Sequence, residues 1–203
     1  MFSSTLAAAA KIMAKLEINN SATLAEEMST MSKSIRDAIE SHGTVEHPVY
    51  GKIYAFEVDG FGSSNTMDDA NIPSLLSAPF NGFPVDPDTY NRTRAFILSA
   101  NNPYYMRGPA FNAVGGPHVG PGFGWPMAAI MRILTSNDDV EIVGELWQIL
   151  ATTDGLGLIH ESLNTFDSSK WTRQWFSWAN GLFGQMILDL ADRKPAILQT
   201  SFQ

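Results

Sequence analysis

The sequence predicts an all-α protein, and three features carry that reading. Apolar residues recur at spacings of three and four over several long segments, β-branched and aromatic runs suited to strands are scarce, and the helical segments are separated by long polar or glycine-rich stretches. Such a pattern places a ligand surface on loops at helix ends.

The first forty residues read as two helices. Leu6, Ala10, Met13 and Glu17 share one stripe, with Leu16 beside it. Asn19 and Asn20 interrupt the period, and Thr23-Leu-Ala-Glu26 has the form of a capping box opening a second helix. The apolar positions of that helix are Leu24, Met28, Met31, Ile35 and Ile39, which predicts one buried face, and Gly43 is its stop. Residues 49–61, VYGKIYAFEVDGF, suit a short extended segment or hairpin, and residues 60–71 a polar loop ahead of a short helix. Asp86-Pro87 supplies a cap and a first-turn proline for a helix through Tyr90, Arg94 and Ile97.

Residues 101–126, NNPYYMRGPAFNAVGGPHVGPGFGWP, hold six glycines and five prolines, so no regular element is expected to run through them. An ordered aromatic loop of this length points to function. Three helices then follow: 127–134, 138–152 with Val143, Leu146 and Leu150 inward, and 171–192 with a stripe of Trp171, Trp175, Trp178, Leu182, Met186 and Leu190.

Composition narrows the partners. A formal net charge of -8 over 203 residues disfavours a nucleic-acid backbone or an anionic membrane surface, and no apolar run approaches the roughly 18 residues of a membrane span. With no cysteine there are neither disulfides nor thiolate metal sites. The opening residues lack a basic n-region and carry Lys11 and Lys15 where a signal peptide would stay apolar.

Three groups of residues could carry chemistry. In EVDGFGSSNTMDDANIPSLL, Asp59, Asp68, Asp69 and Asn71 can cap a following turn, hold sugar hydroxyls or bind a cation, although their spacing matches no calcium loop. The glycine-rich loop carries His118 and Trp125, and its Gly120, Gly122 and Gly124 follow no strand, which leaves a dinucleotide fingerprint unsupported. In GLGLIHES, Glu161 lies between His160 and Ser162. A carboxylate near polar groups and aromatic walls can activate water, whereas Ser162 lacks the elbow of a serine nucleophile. A metal-dependent alternative draws on Asp68, Asp69, His118 and His160, or on His118, His160 and Glu161, but the histidines lack the spacing of a helical zinc motif.

The segments YAFEVDGFGSSNTMDDANIPSLLSAPF, NPYYMRGPAFNAVGGPHVGPGFGWPMAAIMRILTS, TDGLGLIHES and WTRQWFSWANGLFGQMILDL, in this order, closely resemble the C-terminal half of glycoside hydrolase family 125, in wording nearest its fungal branch. The resemblance runs from about residue 1 to the C-terminus. It implies part of an (α/α)6 barrel, with long glycine-rich loops at the active-site end and a short hairpin-like insert. It further implies an exo-acting, inverting α-1,6-mannosidase that needs no metal or other cofactor, with a mannose-containing oligosaccharide or glycan as its partner.

By the same resemblance, Glu161 matches the general base, and Asp68, Asp69, Asn71, His118, Trp125 and His160 match segments that meet the sugar. The family's general acid is an aspartate that no position here matches. The reading counts about seven helices where six hairpins need twelve of typical length ~11 to 12 residues. The expectation is therefore one catalytic domain truncated at its N-terminus and weakly active or inactive, with a non-catalytic mannose-binding chain as the alternative.

Overall fold

The computed structural model describes residues 1–16 and 18–202. Glu17, placed above on the first helical stripe, lies outside the described residues. The chain forms two compact units, one comprising Met1–Thr66 with Ala78–Thr93 and the other Met67–Ser77 with Arg94–Gln203. Helices dominate, as expected. Six are α-helices among the described residues, and nine short strands accompany them.

In the first unit, α1 (Phe2–Met13) packs on α2 (Ser21–His42). The seam is made of small residues. Ser3, Ala10, Ser21, Ala25 and Ser32 are buried, and the Ser3 and Ser32 hydroxyls each donate to the other residue's carbonyl, at 3.0 and 2.8 Å. Leu24 and Met31, expected inward, are exposed at 39% and 52%. Short side chains let the helix backbones approach closely, and the hydroxyls satisfy each other there, so Leu24 and Met31 are turned outward while Met28, Ile35 and Ile39 are half-buried. The capping box also fails: Asn20 is the N-cap, in a left-handed conformation, and Thr23 lies within the helix.

β1 (Thr44–His47) and β2 (Gly51–Tyr54) form an antiparallel hairpin, beginning earlier than the expected extended segment. β3 (Glu57–Val58) and β4 (Ser64–Asn65) form a second, and the Asp59 carboxylate holds its turn by accepting from the amides of Phe61 and Ser63. α3 (Pro87–Ile97) begins where expected, with the Asp86 carboxylate accepting from Thr89 N at 2.8 Å.

The second unit is built around α4 (Pro126–Leu134), whose residues are buried on nearly every side. It packs on α5 (Asp139–Ala151), on α6 (Ser177–Arg193) and on a strand of the glycine-rich loop. The inward face of α5 is Ile142, Glu145, Leu146 and Ile149, one step round from the expected Val143 and Leu150. What turns it is charge. Arg132 on α4 pairs with Glu141 and Glu145, both at 2.5 Å, and Arg94 reaches Glu141 at 3.0 Å.

Two expectations for this unit fail. The glycine-rich loop contains β5 (Tyr105–Arg107), β6 (Asn112–Val114) and β7 (Phe123–Gly124), because two or three residues between breakers suffice for a short ladder. The last helix starts at Ser177, so Trp171 and Trp175 are not on it. Trp171–Thr172 is β9, paired with β8 (Ser162–Asn164), and Trp175 is exposed. No helix is long and apolar enough to cross a membrane among the described residues.

Candidate functional site

Pairing in the second unit draws distant segments together. β7, β8 and β9 form one antiparallel sheet, and a bridge between Gly115 and Gly124 attaches the end of β6 to it. The registers Gly124 to Leu163 and Ser162 to Thr172 put Trp125, Glu161 and Arg173 at the same end of neighbouring strands. The ladder also requires glycine. A Cβ on Gly115 would lie 2.1 Å from the Phe123 carbonyl oxygen, an impossible approach.

The Asp68–Asn71 loop is tied to the same ladder. Ala70 N donates to Gly115 O at 2.9 Å, and the Asp69 side chain lies against Gly116. Asp69 is half-buried, accepts from Asn71 N at 2.7 Å, and leaves Asn71 exposed. Asp68 is placed differently. It is 0% exposed, and its two carboxylate oxygens accept from Leu75 N at 2.9 Å and Leu76 N at 3.3 Å. Burial pushes its carboxyl up to about 7 against the opposing pull of those two amides.

Beyond Gly116 the chain carries His118, which is exposed and meets the Trp125 ring edge-on with centroids 6.1 Å apart. Trp125 is buried just ahead of α4, and its indole Nε1 has no hydrogen-bond partner.

The strand-like entry to β8 is fixed from α6. Asn180 accepts from Ile159 N at 3.1 Å and donates to Ile159 O at 2.8 Å, clamping the residue before His160. His160 is 1% exposed and lies flat on Trp171. Its Nδ1 is 3.1 Å from the Arg173 carbonyl oxygen. A carbonyl only accepts, so Nδ1 carries a proton, and in the neutral ring the acceptor is the buried Nε2, which has no partner among the described residues.

Glu161 follows, 5% exposed. Two groups converge on one of its oxygens: Arg173 Nε, as an ion pair at 2.9 Å, and Thr172 Oγ1, which donates at 3.0 Å, both on Oε2. Because the Thr172 hydroxyl donates to Glu161, the contact of 2.7 Å between Ser162 Oγ and Thr172 Oγ1 has Ser162 as donor. The result is a carboxylate held through Oε2, with no hydrogen bond or ion pair to Oε1 among the described residues. Chemically, such a group can take a proton from a water or hydroxyl placed at Oε1.

The structure thus brings Asp69, Asn71, His118, Trp125, His160 and Glu161 onto one ladder and its loops, and turns Asp68 inward beneath them. Arg173 and Thr172 were not legible as site residues, because the tryptophan spacing read them into a helix. The metal-dependent alternative loses its basis: Asp68 is occupied by backbone amides, and no group of three or more His, Asp or Glu able to hold a metal exists among the described residues.

Comparison with known proteins bears on this geometry. The model of glycoside hydrolase family 125, described as metal-independent alpha-mannosidase, matches residues 1–188. The meiotically up-regulated gene 157 protein of Schizosaccharomyces pombe is 47% identical over 186 residues, covering 91% of this chain and 36% of that protein. A Streptococcus pneumoniae structure, described as a metal-independent alpha mannosidase in a non-productive substrate complex with alpha-1,6-mannobiose, superposes with a TM-score of 0.88 at 35% identity. The match covers 95% of this chain and 46% of that one. The chain therefore spans less than half the length of either relative.

Proposed function

The chain belongs to glycoside hydrolase family 125, the metal-independent α-mannosidases, and from that premise we propose that Glu161 is the general base of an inverting hydrolysis of non-reducing terminal α-1,6-linked mannose. The observation that carries the reading is the one-sided hold on Glu161, with Oε2 bound by Arg173 and Thr172 and Oε1 left free among the described residues. A base needs a fixed lone pair aimed at water, and rigid anchoring of the second oxygen supplies it. In an inverting enzyme that water stands between two carboxyl groups roughly 6.5 to 9.5 Å apart.

The sugar hydroxyls fall to the other groups. Asp69, Asn71 and His118 offer accessible polar atoms on the loops, while Trp125 Nε1 is a donor and His160 Nε2 an acceptor, both lacking a protein partner. Buried polar atoms left unpaired cost stability until a ligand satisfies them, so they suit hydroxyl recognition. Asp68 serves the same loop by holding the amides of Leu75 and Leu76. Both units are read as parts of one (α/α)6 catalytic domain.

No residue of these 203 is assigned as general acid. Acid catalysis typically contributes about 10² to 10⁴ in rate, so hydrolysis of an ordinary mannoside by this chain alone is expected to be weak or absent. A mannose-binding role without turnover is the second reading, favoured by the unpaired Trp125 and His160 atoms.

Calorimetric titration with α-1,6-mannobiose, with product analysis in parallel, separates them. The Glu161→Gln chain is expected to bind the disaccharide and to lose whatever turnover the parent has. Undiminished turnover in that variant removes Glu161 as base, and absence of binding by both chains removes the site.

A further inference from the structure

One residue, Arg173, contacts both the base and its neighbouring histidine. Arg173 has φ 54, in the left-handed region that a non-glycine residue enters at a cost, and it lies directly after β9. In that turn its carbonyl faces His160 Nδ1 at 3.1 Å while its side chain doubles back to place Nε 2.9 Å from Glu161 Oε2. The left-handed turn ends β9 and directs the two groups toward the two consecutive residues just ahead of β8. The side chain is further aligned by the Phe176 ring, 5.6 Å from the guanidinium carbon.

The Arg173 side chain is 60% exposed and that of Glu161 only 7%, so the pair joins a solvent-accessible cation to a buried carboxylate. We propose that Arg173 is a positioning residue with two separable functions: its left-handed carbonyl fixes the His160 ring with Nε2 as acceptor, and its Nε fixes Glu161 so that Oε1 faces the attacking water. This rests on the reading of Glu161 as base, and the two can be tested apart.

Arg173→Gly keeps the left-handed turn and deletes the guanidinium; Arg173→Val keeps neither. In the labelled parent chain, nitrogen NMR is expected to show the neutral His160 ring protonated at Nδ1. Arg173→Gly preserves that tautomer, Arg173→Val loses it, and Arg173→Lys recovers part of the effect on Glu161.

For turnover the probe is α-mannosyl fluoride, whose leaving group needs no acid. Arg173→Gly is expected to lower kcat about tenfold to hundredfold with KM within about twofold. A neutral His160 ring protonated at Nε2 overturns the proposal whether or not the fluoride is turned over. So does a parental kcat in Arg173→Gly. Glu161→Gln with parental activity instead removes the base reading and leaves the measured geometry standing.

Discussion

His160 lies parallel to Trp171, with ring centroids 4.4 Å apart and planes 3° from parallel. The stack fixes the plane of the imidazole, while the Arg173 carbonyl fixes its rotation, so Nε2 is aimed without any hydrogen bond of its own. Aromatic pairs of this kind contribute about 0.5 to 1.5 kcal/mol beyond area burial. Trp171→Ala is expected to weaken α-1,6-mannobiose binding by about three- to tenfold, and Trp171→Phe to retain most of it. Calorimetry on the two variants checks this.

The ladder beneath the site gives a paired test. Gly115→Ala sets a Cβ 2.1 Å from the Phe123 carbonyl oxygen, which is backbone and cannot move without opening the bridge. Gly116→Ala meets only Asp69, at 3.4 Å from its Cβ. The first is expected to lower the thermal midpoint by several degrees and to abolish mannose binding, the second to leave the midpoint near that of the parent.

Arg132 is the keystone of the charge cluster between α4 and α5. Glu145 is 6% exposed and has Arg132 and the Gln148 side chain as its partners. Above about pH 7, where Glu145 is ionised, removing the cation leaves a buried carboxylate, and Arg132→Ala is expected there to cost about 3 to 5 kcal/mol in urea unfolding. Glu145→Gln, which removes the charge instead, is expected to cost much less.

Two buried acids set a pH dependence. Burial raises Asp68 from 3.8, and Glu145 from 4.5, to about 7. Between their unfolded and folded values the native chain holds protons that the unfolded chain has released. Their stabilisation is therefore complete below that window and is lost as pH rises through it. Asp59, Asp86, Glu141 and Asp167 are shifted downward, and their contributions disappear only in the acid range below the ordinary carboxylate values. Unfolding free energy is expected to fall between about pH 5 and 7, and Asp68→Asn to flatten that slope by about 1.4 kcal/mol per pH unit, the equivalent of one proton.

Local signals were legible where the physics is local. Asp86-Pro87 marks a helix start by the chain geometry of proline and by a side-chain cap, and α3 begins there; the helix expected from residue 127 begins one residue earlier, at Pro126. Glu161, His160 and the GGPH segment stood out by residue type and by family resemblance, and they are close on one ladder. Long-range pairing left no such trace. Trp171 and Trp175 are four apart, as helix neighbours are, yet Thr172 pairs with Ser162 and Arg173 turns left-handed, and only the fold reveals either. In α2 the large apolar residues read as the buried face, but the hydroxyl exchange between Ser3 and Ser32 selects the small side. Asp68 and Asp69 are adjacent and chemically identical. Their division into a buried brace and an accessible contact depends on where Leu75 and Leu76 present their amides.

The most direct test of the account is hydrolysis of α-mannosyl fluoride by the 203-residue chain, followed by proton NMR of the first-formed sugar. Because fluoride departs without protonation, the reaction isolates the base from the acid. The account predicts fluoride release above the buffer rate, β-mannose as the initial product, and loss of that release in Glu161→Gln. Release at the parental rate by Glu161→Gln, α-mannose as the first product, or no release by the parent chain would contradict it.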